Sequence, residues 1–87
     1  MSSKLKTYQY EMQLTDKTKS NVLVLAPNES VAINSMISSR FFVDVEGSVI
    51  TAASVVKVKV SLASETDDKY VEFVNKNRDL LNGLRML

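Results

Sequence analysis

Along residues 55–62 apolar and polar positions alternate with a period of two. Val56, Val58, Val60 and Leu62 fall on one side, and Lys57, Lys59 and Ser61 on the other. Such alternation of β-branched and charged residues marks a strand buried on one face only. This strand is the element against which the remaining chain is expected to lie, with Val58 and Val60 buried and Lys57 and Lys59 exposed. The same period runs through residues 4–14. There Tyr8, Tyr10, Met12 and Leu14 share a face with Lys4 and Lys6, while Thr7, Gln9, Glu11 and Gln13 share the other. A polar turn over Thr15–Asn21 then leads to the apolar run Val22-Leu23-Val24-Leu25. That run suits a strand covered on both faces or an edge used as an interface, so residues 4–26 are predicted to form a hairpin.

Pro27 ends the second strand because it has no N–H for the ladder. Asn28 or Ser30 can cap a helix over about 29–40, with Glu29 well placed for its dipole. Ala32, Ile33, Met36 and Ile37 give that helix its apolar stripe, which Phe41 can extend. Strands follow over about 42–62. Phe42–Val45 is expected to be a strand of its own, Glu46-Gly47-Ser48 a turn, and Ala52-Ala53-Ser54 a bulge before the long strand. Ser64-Glu65-Thr66-Asp67 resembles a capping box. It opens a helix over about 65–82, whose acidic start and basic end complement the macrodipole.

The order β-β-α-β-β-α, with strands gathered in one sheet, predicts an α+β domain. It consists of three to four mainly antiparallel strands with two helices on one face. The 87 residues make a single domain, and a 45% apolar share is that of an ordinary globular chain. A domain of this size hides only about 60–65% of its unfolded surface. Cysteine and histidine are both absent, so neither a disulfide nor a histidine-bearing zinc site is expected to reinforce it. Self-association is the remaining common source of buried surface. No stretch approaches the roughly 18 apolar residues of a membrane span. Met1–Lys6 has no apolar run behind it, so a cytoplasmic protein without a secretory signal is the expectation.

Candidate chemistry is sparse. Without histidine, proton transfer would fall to carboxylates such as Asp44 with Glu46, or Asp67 with Asp68. Those pairs match solvated turns and helix starts better than tuned acids. Asp67 and Asp68 have no third ligand nearby for magnesium. Gly47 and Gly83 are the only glycines, which excludes the glycine-rich phosphate loops. No catalytic, cofactor or metal residue is therefore assigned, and no cofactor is expected. A net charge of +1 gives no overall pull towards nucleic acid or anionic lipid. Lys4, Lys6, Tyr8, Tyr10, Lys57 and Lys59 still place cations beside rings, as single-strand binding requires. This makes a sheet-based nucleic-acid binder the second reading.

The leading reading is protein binding. Val22–Leu25, Phe41-Phe42 and the Leu80-Leu81-Leu84-Met86-Leu87 cluster carry more apolar surface than so short a chain is expected to cover. Tyr70, Phe73, Val74 and Leu81 are assigned to the domain's own core. Leu80, Leu84 and Leu87 are left for a second chain, with Asn77 fixing the register of that contact. The expectation is a small non-enzymatic, self-associating protein, acting on a protein partner with no membrane involvement. Its size and class are those of accessory or inhibitor proteins of phages and mobile elements.

Overall fold

The computed structural model describes residues 4–85, and the side chains of residues 84 and 85 lie outside the description. The chain is an α+β domain. Strands β1 (Lys6–Leu14) and β2 (Lys19–Ala26) form the hairpin, followed by helix α1 (Glu29–Ser38). Short strands β3 (Phe41–Val43) and β4 (Val49–Thr51) come next, and a single 3-10 turn over Ala52–Ser54 leads into the ten-residue strand β5 (Val55–Ser64). Helices α2 (Asp68–Lys76) and α3 (Arg78–Arg85) close the chain.

The strands make two sheets. The larger is antiparallel in the order β2-β1-β5, and β3 pairs with β4 in a separate hairpin. The central strand is thus β1, and the Val56–Leu62 strand is an edge. This position explains why Val58 and Val60 are only half-buried although they pack on the core. Apolar neighbours flank them on one side alone. Tyr8, Tyr10 and Met12, flanked on both sides, are buried. The registers Tyr8↔Val24 and Tyr10↔Val22 on one flank, with Tyr8↔Leu62, Tyr10↔Val60 and Met12↔Val58 on the other, bring all the apolar rows to one face.

Helix α1 covers that face. Asn28 caps it, its Oδ1 accepting from Val31 N at 3.0 Å. Ala32 is buried, Ile33 and Met36 are half-buried, and Ile37 is 72% exposed. The stripe therefore ends before Ile37, and Phe41 does not extend it but begins β3. Phe42 and Ile50 of the small hairpin complete the core, with the Phe42 ring edge-on to Tyr10 at 6.0 Å between centroids. The Tyr10 hydroxyl donates to the Ala32 carbonyl, and burial pushes that hydroxyl above its ordinary pKa.

The second face of the sheet is covered only in part. Thr7 is buried, and both its N–H (3.1 Å) and its Oγ1 (2.8 Å) donate to the Thr66 carbonyl where the chain enters α2. Phe73 of α2 lines a cavity with Leu23 and Val45. Leu23 pairs with Gln9 and so has the parity opposite to the tyrosines. Helix α1 thus serves the tyrosine face while α2 reaches the sheet from the Leu23 side, so, contrary to expectation, the two helices do not share one face. This division accounts for the unbroken apolar run of β2, which meets packing on both faces.

Two local expectations give way to different solutions. At Ala52–Ser54 the chain makes a 3-10 turn where a bulge is expected, held by Thr15 N donating to Ser54 O at 2.9 Å. The start of α2 is not a capping box. Asp67 occupies the cap without a side-chain bond. Ser64 Oγ and Thr66 Oγ1 instead accept from Thr66 N and Asp68 N at 3.3 and 3.4 Å.

The Tyr10 hydroxyl can be tested alone. Tyr10→Phe keeps the ring and loses one bond to a carbonyl that also serves the helix ladder, so the expected loss is about 1 kcal/mol. For a domain of this size that lowers Tm by about 4–8 °C. A raised phenol pKa in the folded state stabilises fully below the unfolded value near 10 and is lost as pH rises beyond it. Urea unfolding between pH 7 and pH 11 should therefore show a shallower alkaline decline for Tyr10→Phe than for the parent.

Candidate protein-binding site

The C-terminal helical region is two segments, and Asn77 divides them. Its backbone leaves helical geometry at φ −115° and ψ 27°. Both its N–H (3.1 Å) and its Nδ2 (3.0 Å) donate to the Phe73 carbonyl, which closes α2. Its own carbonyl accepts from Leu81 N at 3.0 Å and so starts α3. The expected single helix over 65–82 is broken at Asn77, where the side-chain amide adds a second bond to the carbonyl its own N–H already uses. Asn77 is accordingly a helix junction.

The turn between β3 and β4 sits against this junction. Asp44 is buried, and its Oδ1 accepts from Glu46 N at 2.6 Å. Gly47 follows at φ +90°, where a Cβ would stand 2.8 Å from Asn77 Oδ1 and 3.6 Å from Leu80 Cδ2. Only glycine fits both that backbone and that approach. Asp44 with Glu46 thus shapes a turn, although Asp44 is buried there and not solvated as expected, and Asp67 with Asp68 begins α2.

Between the small hairpin and the helices lies a groove of about 430 Å³. Phe41 and Val43 of β3 form one wall, and Tyr70 and Val74 of α2 form the other. Leu81, with Arg78 and Asn82, lines it from α3. Alternation along β3 explains the wall: Phe42 turns to the core, while Phe41 and Val43 turn to the groove. Phe41 is 48% exposed. The Tyr70 ring tilts at 53° to buried Phe73, with centroids 6.0 Å apart. Arg78 stands at the rim, its Nη2 donating to Asn75 Oδ1 at 2.9 Å.

The expected partner residues do not come together here. Leu80 is half-buried beside Gly47, on the junction side rather than in the groove. The backbone of Leu84 belongs to α3, its side chain is outside the description, and Leu87 lies outside the described residues. Tyr70, Val74 and Leu81, assigned by sequence to the core, line the groove instead, and Phe73 alone of that set is buried. Phe41 is the groove residue that sequence reasoning placed elsewhere. Its signal was present in the Phe41-Phe42 pair, because a strand must send two consecutive rings to opposite faces.

The nucleic-acid set is divided by the same alternation. Tyr8 and Tyr10 are buried, Tyr10 to 1% exposure, so neither offers a ring face to a base. Lys4 and Lys6 have the parity of the tyrosines, and Lys6 pairs loosely with Glu65 at 3.6 Å. Lys57 and Lys59 lie on the opposite face, across from Gln13 and Glu11. With Lys19 and Asn21 they border a shallow depression whose lining includes no aromatic residue. Among the described residues no group of three or more acidic side chains is close enough to hold a metal ion, and no helix is long and apolar enough to cross a membrane.

The close approach at Gly47 is open to a direct check. Gly47→Ala should cost about 1–2 kcal/mol for the left-handed backbone alone, and more for the contact with Asn77. In an Asn77→Ala background only the backbone part should remain, so thermal melts of the four combinations should give a non-additive cycle.

No protein-family model matches the sequence, and no curated protein and no solved structure is significantly similar to it.

Proposed function

We propose that this is a non-enzymatic binding protein, of the accessory or inhibitor kind, that acts by occupying a surface of a larger protein. The observation carrying the proposal is the groove between β3 and the α2–α3 pair. It joins rings, aliphatic side chains and one arginine in a single concave surface. Aromatic residues and arginine are the types that dominate binding energy where they surround a site that excludes water.

The groove suits an apolar segment of a protein partner that carries a carboxylate. The apolar part would lie between Phe41 and Val74, and the carboxylate would reach Arg78. Among the described residues the single salt bridge is Lys6 with Glu65, so the Arg78 guanidinium has its charge available for a bidentate contact. A sequence without histidine or cysteine, whose paired carboxylates are taken up by a turn and a helix start, supports binding over catalysis.

The test is peptide selection on the immobilised protein, followed by affinity measurement on the enriched sequences. Selected peptides should share an apolar anchor and an acidic residue. Phe41→Ser and Arg78→Glu should each weaken them by about ten-fold or more, as expected for interface residues worth above 1 kcal/mol. Ile37→Ser, on the exposed side of α1, should leave both affinity and Tm unchanged. Absence of a shared pattern, or affinities indifferent to Phe41 and Arg78, would count against the groove. Light scattering at the same concentrations would reveal a second copy as the occupant instead.

A further inference from the structure

No strand among the described residues pairs with the outer edge of β5, whose register with β1 is regular over 57–62 and shifts near each end, so alternate residues of that stretch turn their N–H and C=O groups outward. The edge on the other side of the sheet is treated differently, since Val45 N of the small hairpin donates to Asn21 O of β2 at 2.9 Å. Unpaired edges template the addition of a further strand. We propose that β5 receives an extended segment of a partner protein as a fourth strand, and that this segment alternates acidic with apolar residues. The inference rests on the reading of the chain as a binding protein, but not on the groove.

The chemistry of the partner follows from the two faces of β5. On one face Lys57 and Lys59 are exposed and, among the described residues, have no carboxylate in a salt bridge. Glu11 lies directly across from Lys59 in the ladder, yet its Oε1 is turned to Gln9 Nε2 at 3.4 Å. Acidic residues on an added strand would lie beside both lysines, at the spacing where cross-strand pairs interact. On the other face Val58 and Val60 are half-buried against the core and Leu62 is 44% exposed, while the register shift at Leu14↔Val55 leaves Val56 outside this row. Apolar residues at the alternate positions of the added strand would extend that row, and a shift by one would set acids on valines.

The lysines also decide between occupants. A second copy paired antiparallel through β5 brings no acidic residue, since residues 55–64 contain none. With Val60 opposite Val60, the two Lys59 side chains would be diagonal neighbours on one face, about 7–8 Å apart. With Lys59 opposite Lys59 they would be adjacent. The charges that weaken self-pairing are those that favour an acidic strand, so selection rests on both attraction and repulsion.

The experiment uses the full chain and four synthetic ten-residue peptides. The first alternates Val with Glu, the second replaces Glu by Lys, and the third and fourth are the first with N-methyl groups on alternate amides along one edge or along the other. Binding is read by fluorescence anisotropy, and protection of β5 amides by hydrogen exchange. The Val/Glu peptide should bind, with its affinity falling as salt rises, and should slow exchange of β5 amides. The Lys peptide and the Lys57→Glu/Lys59→Glu variant should each bind at least ten-fold more weakly. One of the two methylated peptides should lose binding and the other should keep it.

Equal binding of both methylated forms would mean charge attraction without strand pairing and would overturn the proposal, as would no binding of the Val/Glu peptide. Binding lost in Phe41→Ser but kept in Lys57→Glu/Lys59→Glu would assign the peptide to the groove and overturn the edge. A parent chain that is a dimer in solution, broken by Leu62→Glu at an exposed position of the edge with the fold retained, would assign the edge to a second copy.

Discussion

The buried Tyr10 ring is the constraint on which the layers depend. It lies midway along the central strand, so sheet pairing fixes its position from both sides. Its hydroxyl fixes α1 through the Ala32 carbonyl, and its edge fixes the small hairpin through Phe42. Apolar contact alone would hold α1 against the sheet but would not choose its rotation, because burial is indifferent to direction. A hydrogen bond to one carbonyl does choose it. In a chain with no cysteine for a disulfide, this directed contact supplies part of what a covalent staple would.

A second constraint acts where Gly47 meets Asn77. The break at Asn77 ends one helix and starts another within a residue, and the β3–β4 turn comes close enough that no Cβ fits at Gly47. The hairpin is thereby held at two points, Phe42 in the core and Gly47 at the junction. Between them, Phe41 and Val43 face Tyr70, Val74 and Leu81 across open space. The groove is a consequence of these two anchors. Its walls cannot close on each other without losing one of them.

Periodicity carried much of the fold. The tyrosine face of β1, the Asn28 cap, the strand at β3 and the turn at Gly47 were all legible, because each follows from local alternation or turn chemistry. Strand order was not. Alternation assigns faces without saying which neighbours a strand has, so the valines of β5 and the tyrosines of β1 read as equally central. Whether Tyr10 or Val58 is the more deeply buried depends on pairing at long range. The break at Asn77 escaped for a related reason, since asparagine is tolerated within helices and its side-chain bond to Phe73 is visible only in three dimensions. That break moved the candidate site. It separates Leu80, packed at the junction, from Leu81, which lines the groove.

The two proposed surfaces lie at opposite ends of the sheet. The hairpin that walls the groove meets the outer side of β2, whereas the open edge belongs to β5, with β1 between them. The central strand separates them. Both surfaces present basic side chains without salt-bridge partners among the described residues, Arg78 at the groove and Lys57 with Lys59 at the edge. The overall charge of +1 conceals this distribution. Net charge sets the long-range field, but selection at contact depends on which charges remain unpaired, and here they are cations beside apolar rows. On these readings a single partner with acidic and apolar residues in alternation would satisfy either surface, and the backbone edge would distinguish a strand from any other segment of the same composition.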